Sequence, residues 1–521
     1  MKEVELLVLL LAIIGIVGAI SQKLRVSLPI LLIVVGMVIS LKSNIALVRL
    51  EPDTVFFIFL PPLLYLDAFN TSWKDLKDVG DLITIQAFGL VLITVVGVAA
   101  LIHAVLPTIP WAAAFVFGAI VSPTDAVVAS AITKEVRLPK RVMDIIKGES
   151  LVNDATGLVA YQFAVAATVT GTFSWSEAGT RFLYVGFGGV LVGLITGWIL
   201  SVLRTKLENR PVEIIGSLLS PFISYFTAEH LHVSGVLSVV TAGLLLGWRS
   251  PTMLSSQVRL HSKANWETIA YILNGFSFLL MGLQLKPILE TVKSYPPEQL
   301  LLWTTTAAIA PIFIRFAWTF SVAPAYARLM RRDVPNWKHI FVVSWSGMRG
   351  IVSMAAALAL PLSCANGQAF PYRDLIIFLT VVVIASTLLL QGVALPAIVK
   401  YFGFASDLYD DGNAERETRL YLSREAVRTI DELARKNNLD MEDPGIQKVI
   451  NHYIELTIDN FRPQSHDSSN IETWRLLQHE AIKSQRRILI GMRDNHKIGE
   501  ELFRVLQNEL DLEETQVNPT T

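Results

Sequence analysis

Four acidic residues stand in stretches of the chain that are otherwise apolar: Asp67, Asp125, Glu149 and Asp154. Glu149 and Asp154 belong to Gly148-Glu149-Ser150-Leu151-Val152-Asn153-Asp154-Ala155-Thr156-Gly157. That stretch heads an apolar run continuing through Val159, Tyr161, Phe163, Val165 and Val169. An ionised side chain near a bilayer centre costs about 2.5–3.5 kcal/mol on insertion scales, so groups that persist there are candidates for binding or moving charge. At helical spacing Glu149 lies over Asn153 and Ser150 over Asp154, which makes two adjacent polar stripes. Two bases share the setting: Arg315 in Ile312-Phe313-Ile314-Arg315-Phe316, and Arg349 in Gly347-Met348-Arg349-Gly350. If all six lie inside the bundle, four acids against two bases leave an excess of two negative charges. Protons or metal cations must neutralise it. Burial disfavours the ionised carboxylate, so the two compete for the same oxygens, and hard oxygen ligands suit alkali cations. A site that carries a cation one way and a proton the other is sufficient for an exchanger. The rival classes are an ion channel, with the acids lining a continuous pore, and a membrane hydrolase using paired carboxylates. No Ser/His/Asp arrangement, metal-type His cluster or phosphate loop supports the hydrolase.

Two stretches interrupt the helices that would hold these groups. In Ser122-Pro123-Thr124-Asp125, Pro123 has no N–H for the carbonyl four residues back and disfavours helical dihedrals at Ser122. The same tetrad fits a helix start, with Ser122 as N-cap, Pro123 at N1 and Asp125 at N3. A break at membrane depth is tolerated only against a protein-lined or watery cavity, and broken helices supply carbonyls and dipole ends to ion sites in secondary transporters. Gly347 and Gly350 permit unwinding or close packing around Arg349. Both arginines should find carboxylates or helix-terminal carbonyls. Asp67, after Pro61-Pro62, lies near a helix end, where it either faces the site or reaches the interface.

The elements that position these groups form an all-α polytopic membrane protein. Of 521 residues, 52 % are hydrophobic and 17 % charged, with mean hydropathy +0.49, too apolar for a soluble chain of this length. About thirteen apolar segments run approximately 4–20, 28–43, 53–69, 82–106, 111–132, 143–170, 182–203, 212–228, 231–248, 267–289, 300–327, 339–362 and 374–398. Residues 1–400 thus read as the membrane domain and 401–521 as a charged helical tail with breaks at Pro444 and Pro463–Ser469. With the N-terminus outside, about nineteen Lys and Arg fall on cytoplasmic loops against about six opposite, which also places the tail in the cytoplasm. The N-terminus lacks a basic signal-peptide region, so 6–20 reads as a retained first helix. The single cysteine, Cys364, excludes an intramolecular disulfide. His103, His230 and His232 read as interfacial residues on the outer side. Lys483 and Arg486-Arg487 in the tail are candidates for meeting anionic lipid.

Taken together, Gly148–Ala155, Ser122-Pro123-Thr124-Asp125-Ala126 and Gly347-Met348-Arg349-Gly350 resemble the monovalent cation:proton antiporter family of NhaP type, to which the eukaryotic sodium/proton exchangers belong. The resemblance covers residues 1–400. It implies an inverted-repeat fold whose two unwound helices, around Ser122–Asp125 and Ser346–Gly350, cross at mid-membrane. It implies Asp154 as the principal carrier of cation and proton, with Asp125, the Thr124 backbone and the Ser150 hydroxyl coordinating Na⁺ and Asp67 contacting or gating the site. Glu149, Asn153 and Arg349 match a supporting ion-pair cluster, and Arg315 a base that stabilises the crossing. Asn153-Asp154 replaces the Asp-Asp of electrogenic relatives, which implies electroneutral exchange of one cation for one proton. The resemblance further implies a homodimer moving in an elevator-like step; the expected location is a bacterial cell membrane. No cofactor and no nucleic acid partner is implied. Na⁺ or Li⁺ is the expected cation, with K⁺ as the alternative.

Overall fold

The computed structural model describes residues 2–24, 27–42, 52–71, 80–125, 140–171, 175–207, 209–331, 334–404, 409–436, 444–455, 471–495 and 497–517. Among these residues the chain is helical, apart from one isolated bridge between Ser363 and Ala369. It divides into two compact units. The first comprises 1–203, 215–248 and 265–404, and the second 204–214, 249–264 and 405–521.

In the first unit α1 (Lys2–Leu24), α2 (Leu28–Lys42), α3 (Pro52–Phe69) and α4 (Gly80–Val105) precede α5 (Trp111–Val121), which ends at the first interruption, and α6 (Lys140–Thr170). Then come α7 (Trp175–Arg204), α8 (Arg210–His230), α9 (Gly235–Met253), α10 (Ser256–Val292) and α11 (Pro297–Leu329). A pair of helices separated by a short break follows, α12 (Trp337–Trp345) and α13 (Ile351–Leu358), before α14 (Arg373–Phe402). Among the described residues, six stretches are long and apolar enough to cross a membrane: Glu5–Lys23, Ala87–Val105, Tyr184–Arg204, Ser256–Gln284, Pro297–Leu329 and Arg373–Phe402. Leu28–Leu41, Phe57–Phe69 and Trp111–Val121 are shorter apolar helices. Large side chains such as Phe187, Leu191 and Trp198 point outward from α7, as expected where lipid replaces water as the surrounding solvent.

Packing inside the first unit relies on small residues, because lipid offers helices no hydrophobic drive to associate and close contact must supply the attraction. Gly36 of α2 and Gly282 of α10 lie face to face, so that a Cβ on either would strike the other helix's backbone. The elements around the two interruptions, α4, α5, α6, α11, α12, α13 and α14, pack on one another, and α13 also meets α3.

The second unit contains α15 (Tyr409–Lys436), α16 (Pro444–Glu455), α17 (Ile471–Asp494) and α18 (Glu500–Val517). Ala426, Ile430, Ile446, Tyr453 and Ala481 form one apolar cluster, and Leu422, Ile482, Leu489, Phe503 and Leu506 a second. The expected break at Pro444 is the start of α16; the segment Pro463–Ser469 lies outside the described residues. Arg486 is paired within this unit. It donates to Asp511 (3.0 Å) and Glu514 (2.6 Å), while Lys483 pairs with Glu480 at 3.1 Å. Arg259, in the first turns of α10, reaches the same Asp511 and also caps the carbonyls of Pro251 and Leu254. Burial alone would raise the Glu514 carboxyl. The Arg486 hydrogen bond and charge, with Ser256 Oγ and His479 beside it, outweigh that and hold it below its ordinary range.

Candidate functional site

The first interruption follows Val121. Ser122 does not start a new helix as its sequence context suggests: it is the C-cap of α5, and its hydroxyl returns to Ala119 O at 3.0 Å. Residues 123–125 are not helical, and 126–139 lie outside the described residues. The backbone donors that a helix start would leave to its own N-terminal turn are committed elsewhere. Asp125 N donates to Met348 O at 2.7 Å, and Thr124 N faces Asn153 Oδ1 at 3.4 Å. The unwound stretch is thus held by α6. Asn153 Nδ2 donates to Thr124 Oγ1 (2.7 Å) and Ser150 Oγ to Thr124 O (2.6 Å), one helical turn apart on one face.

The second interruption, 346–350, meets the first. Ser346 ends α12, Gly350 begins α13, and the Asp125 carboxylate lies directly against the Gly350 Cα where any Cβ would project. That carboxylate therefore sits at the positive end of the α13 dipole. The two arginines serve the other helix ends. Arg349 Nε donates to Val121 O, the last carbonyl of α5, at 3.0 Å, and its Nη1 to Gly347 O. Arg315 Nε and Nη2 donate to Ser344 O (3.1 Å) and Val343 O (2.9 Å) at the end of α12. Its fork also holds both oxygens of Glu149, the second contact at 3.1 Å. Glu149 is 0 % and Arg315 1 % exposed. The ion pair of Glu149 is thus with Arg315, while Arg349 works as a carbonyl cap and Asn153 as a brace for Thr124.

Asp154 stands one residue beyond that brace. It is buried, and its Oδ1 has no hydrogen-bond partner among the described residues. Asp67, on α3, is half-buried, and Asp67, Asp125 and Asp154 feel one another's charge. No group of three or more His, Cys, Asp or Glu side chains close enough to chelate a metal occurs among the described residues. A cation here would accordingly depend on hydroxyl and carbonyl oxygens as well as carboxylates. Two residues went unnoticed in the sequence: Thr387 Oγ1 accepts from Arg349 N (3.2 Å), and Gln391 O accepts from the Trp345 indole (3.2 Å). The Thr387 hydroxyl was signalled only as an uncharged polar group in an apolar helix, whereas a backbone carbonyl such as that of Gln391 leaves no side-chain signal. His103 and His230 bond nearby carbonyls, those of Ile109 and Phe226, both at 2.9 Å.

Two helix interruptions that meet, charge-capped helix ends and a buried carboxyl oxygen with no partner among the described residues are the features of a membrane carrier for small ions. The chain belongs to the sodium/hydrogen exchanger transmembrane family, whose model matches residues 7–401. It is 31 % identical to the sodium, potassium, lithium and rubidium/H⁺ antiporter of Bacillus pumilus, over 92 % of this chain and 73 % of that one. It is 32 % identical to the low-affinity Na⁺/H⁺ antiporter NhaS1 of Synechocystis, over 74 % and 71 % respectively. Its fold is similar to that of the sodium proton antiporter MjNhaP1 of Methanocaldococcus jannaschii, with TM-score 0.63 and 19 % identity over 77 % of this chain and 98 % of that one.

Proposed function

We propose that this protein is a secondary active antiporter that exchanges Na⁺ or Li⁺ for H⁺, one for one, with Asp154 as the shared carrier. The observation that carries it is the Asp154 Oδ1, buried without a partner among the described residues, on the helix that braces the first interruption. An unsatisfied buried carboxylate oxygen is costly, and either a proton or a cation removes that cost. Because one oxygen cannot hold both, loading and unloading are coupled. Asp125, the Thr124 carbonyl and the Ser150 hydroxyl supply further hard oxygens, and Asp67 adds charge close to Asp154. Asn153, being neutral, adds no second titrating group beside Asp154, which supports electroneutral exchange. Thirteen spans in inverted repeats, an outside N-terminus, a cytoplasmic tail, a homodimer in a bacterial cell membrane and an elevator-like step complete the proposal. They rest on the loop-charge bias and on the family resemblance.

The test is dye-monitored proton flux in everted vesicles, with Na⁺, Li⁺ and K⁺ titrated separately. Asp154→Asn should abolish cation-dependent flux at normal membrane abundance; undiminished flux would overturn the proposal. An imposed potential without a pH gradient should drive no uptake if the exchange is electroneutral. K⁺ is a second reading, favoured by the cation range in the name of the Bacillus pumilus relative, and the K⁺ arm of the titration decides it.

A further inference from the structure

We propose that the Ser353 hydroxyl is a further ligand of the transported cation, supplied by α13 from the second interrupted helix. The proposal rests on the antiport reading above. Ser353 is 1 % exposed, and its Oγ has no hydrogen-bond partner among the described residues. Buried hydroxyls on helices ordinarily return to a carbonyl one turn back. In this bundle Thr156 does so to Val152 O (2.7 Å), Ser344 to Ile340 O (2.8 Å) and Thr380 to Ile376 O (2.8 Å). Ser353 departs from that habit for a structural reason. The residue four back is Arg349, which lies in the unwound stretch before α13 begins, so its carbonyl is not in helical register.

The placement points to what the hydroxyl serves. Ser353 is the third residue of α13, one turn beyond Gly350, against which the Asp125 carboxylate lies. Helical side chains lean toward their own N-terminus, which directs Oγ back toward that crossing. Moreover, α13 packs against α3 and α6, the helices that carry Asp67 and Asp154. Two buried oxygens without partners among the described residues, the carboxyl Oδ1 of Asp154 and the hydroxyl Oγ of Ser353, thus stand on helices in contact. A small alkali cation satisfies both through their lone pairs. As a hard, uncharged donor, the hydroxyl replaces part of the hydration shell without changing the charge balance of exchange.

The experiment compares Ser353→Ala and Ser353→Thr with the parent protein in vesicles. Ser353→Ala should raise KM for Na⁺ and Li⁺ about five- to tenfold while the maximal rate is kept, and Ser353→Thr should restore it to within about twofold. Since protons compete for the same site, weaker cation binding moves the acid limb of the pH profile at fixed Na⁺ upward, by about one pH unit for a tenfold loss. An unchanged KM, or equal defects in both variants confined to maximal rate, would overturn the proposal. Should Ser353→Ala fail to accumulate, Ser353→Cys tests it by binding. The thiol is a poor ligand for a hard cation, so Na⁺-dependent thermal stabilisation in detergent should be lost while the melting point in choline stays at the parent value. Stabilisation equal to the parent's overturns it. An Asp154→Asn arm separates the two levels: exchange that survives it sinks the antiport reading, whereas its loss beside fully normal Ser353 variants sinks only the ligand assignment.

Discussion

Replacing Glu149 by glutamine should destabilise the membrane unit more than any other single neutralisation of an acid in it. Glu149 is fully buried and holds the guanidinium of Arg315, itself 1 % exposed. Removing one member of a buried ion pair leaves an uncompensated charge, and costs about 3–5 kcal/mol. Glutamine keeps one acceptor, and Arg315 keeps its bonds to Val343 O and Ser344 O, so the lower end of that range is expected. Arg315→Met should cost more, because it strands the Glu149 charge and also leaves both carbonyls unsatisfied, at about 1–3 kcal/mol each. The double variant should be less stable than Glu149→Gln but more stable than Arg315→Met, since neutralising the stranded acid relieves the larger penalty. With whole-protein stability of about 5–15 kcal/mol, these losses are large. The assay is the fraction remaining monodisperse in detergent after graded heating, with a double-mutant cycle over the four proteins. If Glu149→Gln melts with the parent, or the cycle shows no coupling, Arg315 is not held by Glu149 and the account of the crossing fails.

Gly350→Ala should abolish exchange, because its Cβ would occupy the position of the Asp125 carboxylate; overpacking costs typically about 1–3 kcal/mol, and parent-like flux would refute the contact. Gly282→Val should separate α2 from α10 and lower the thermal midpoint, while the same change at the open position Gly216 should do neither. In the tail, the Glu514 carboxyl is held below its ordinary range, chiefly by Arg486 acting against burial. Its contribution is therefore complete above about pH 4.3, the value for an unconstrained Glu, and fades as pH falls through the lower folded-state value. Hydrogen exchange of α18 amides in the full-length protein should show protection weakening over that acid window, and Glu514→Gln should flatten the dependence; an unaltered profile in the variant would refute it.

Much of this was legible in the chain alone. Apolar run lengths marked where helices of the membrane unit lie, because a span must satisfy its backbone internally and keep an apolar surface, although the single run 339–362 is two helices, α12 and α13. Pro123 announced the first interruption, since a missing N–H is a local fact, and Gly347 and Gly350 announced the second. Acids at 67, 125, 149 and 154 stood out because charge in an apolar run needs a reason. The charged periodicity of the tail pointed to helices over 417–436 and 472–492; the second matches α17 within two residues, whereas α15 starts eight residues earlier, at Tyr409. What only the tertiary structure decided was pairing. Sequence spacing cannot say that Glu149 takes Arg315 across 166 positions, that Arg349 caps Val121 across 228, or that Arg259 and Arg486 share Asp511. It also could not tell that Ser122 closes a helix instead of opening one, because the donors of Thr124 and Asp125 are claimed by Asn153 and by Met348. Propensity and hydropathy act over a few residues, whereas the partner of a buried charge is whichever group the fold brings within about 3 Å, and that depends on the arrangement of all the helices at once.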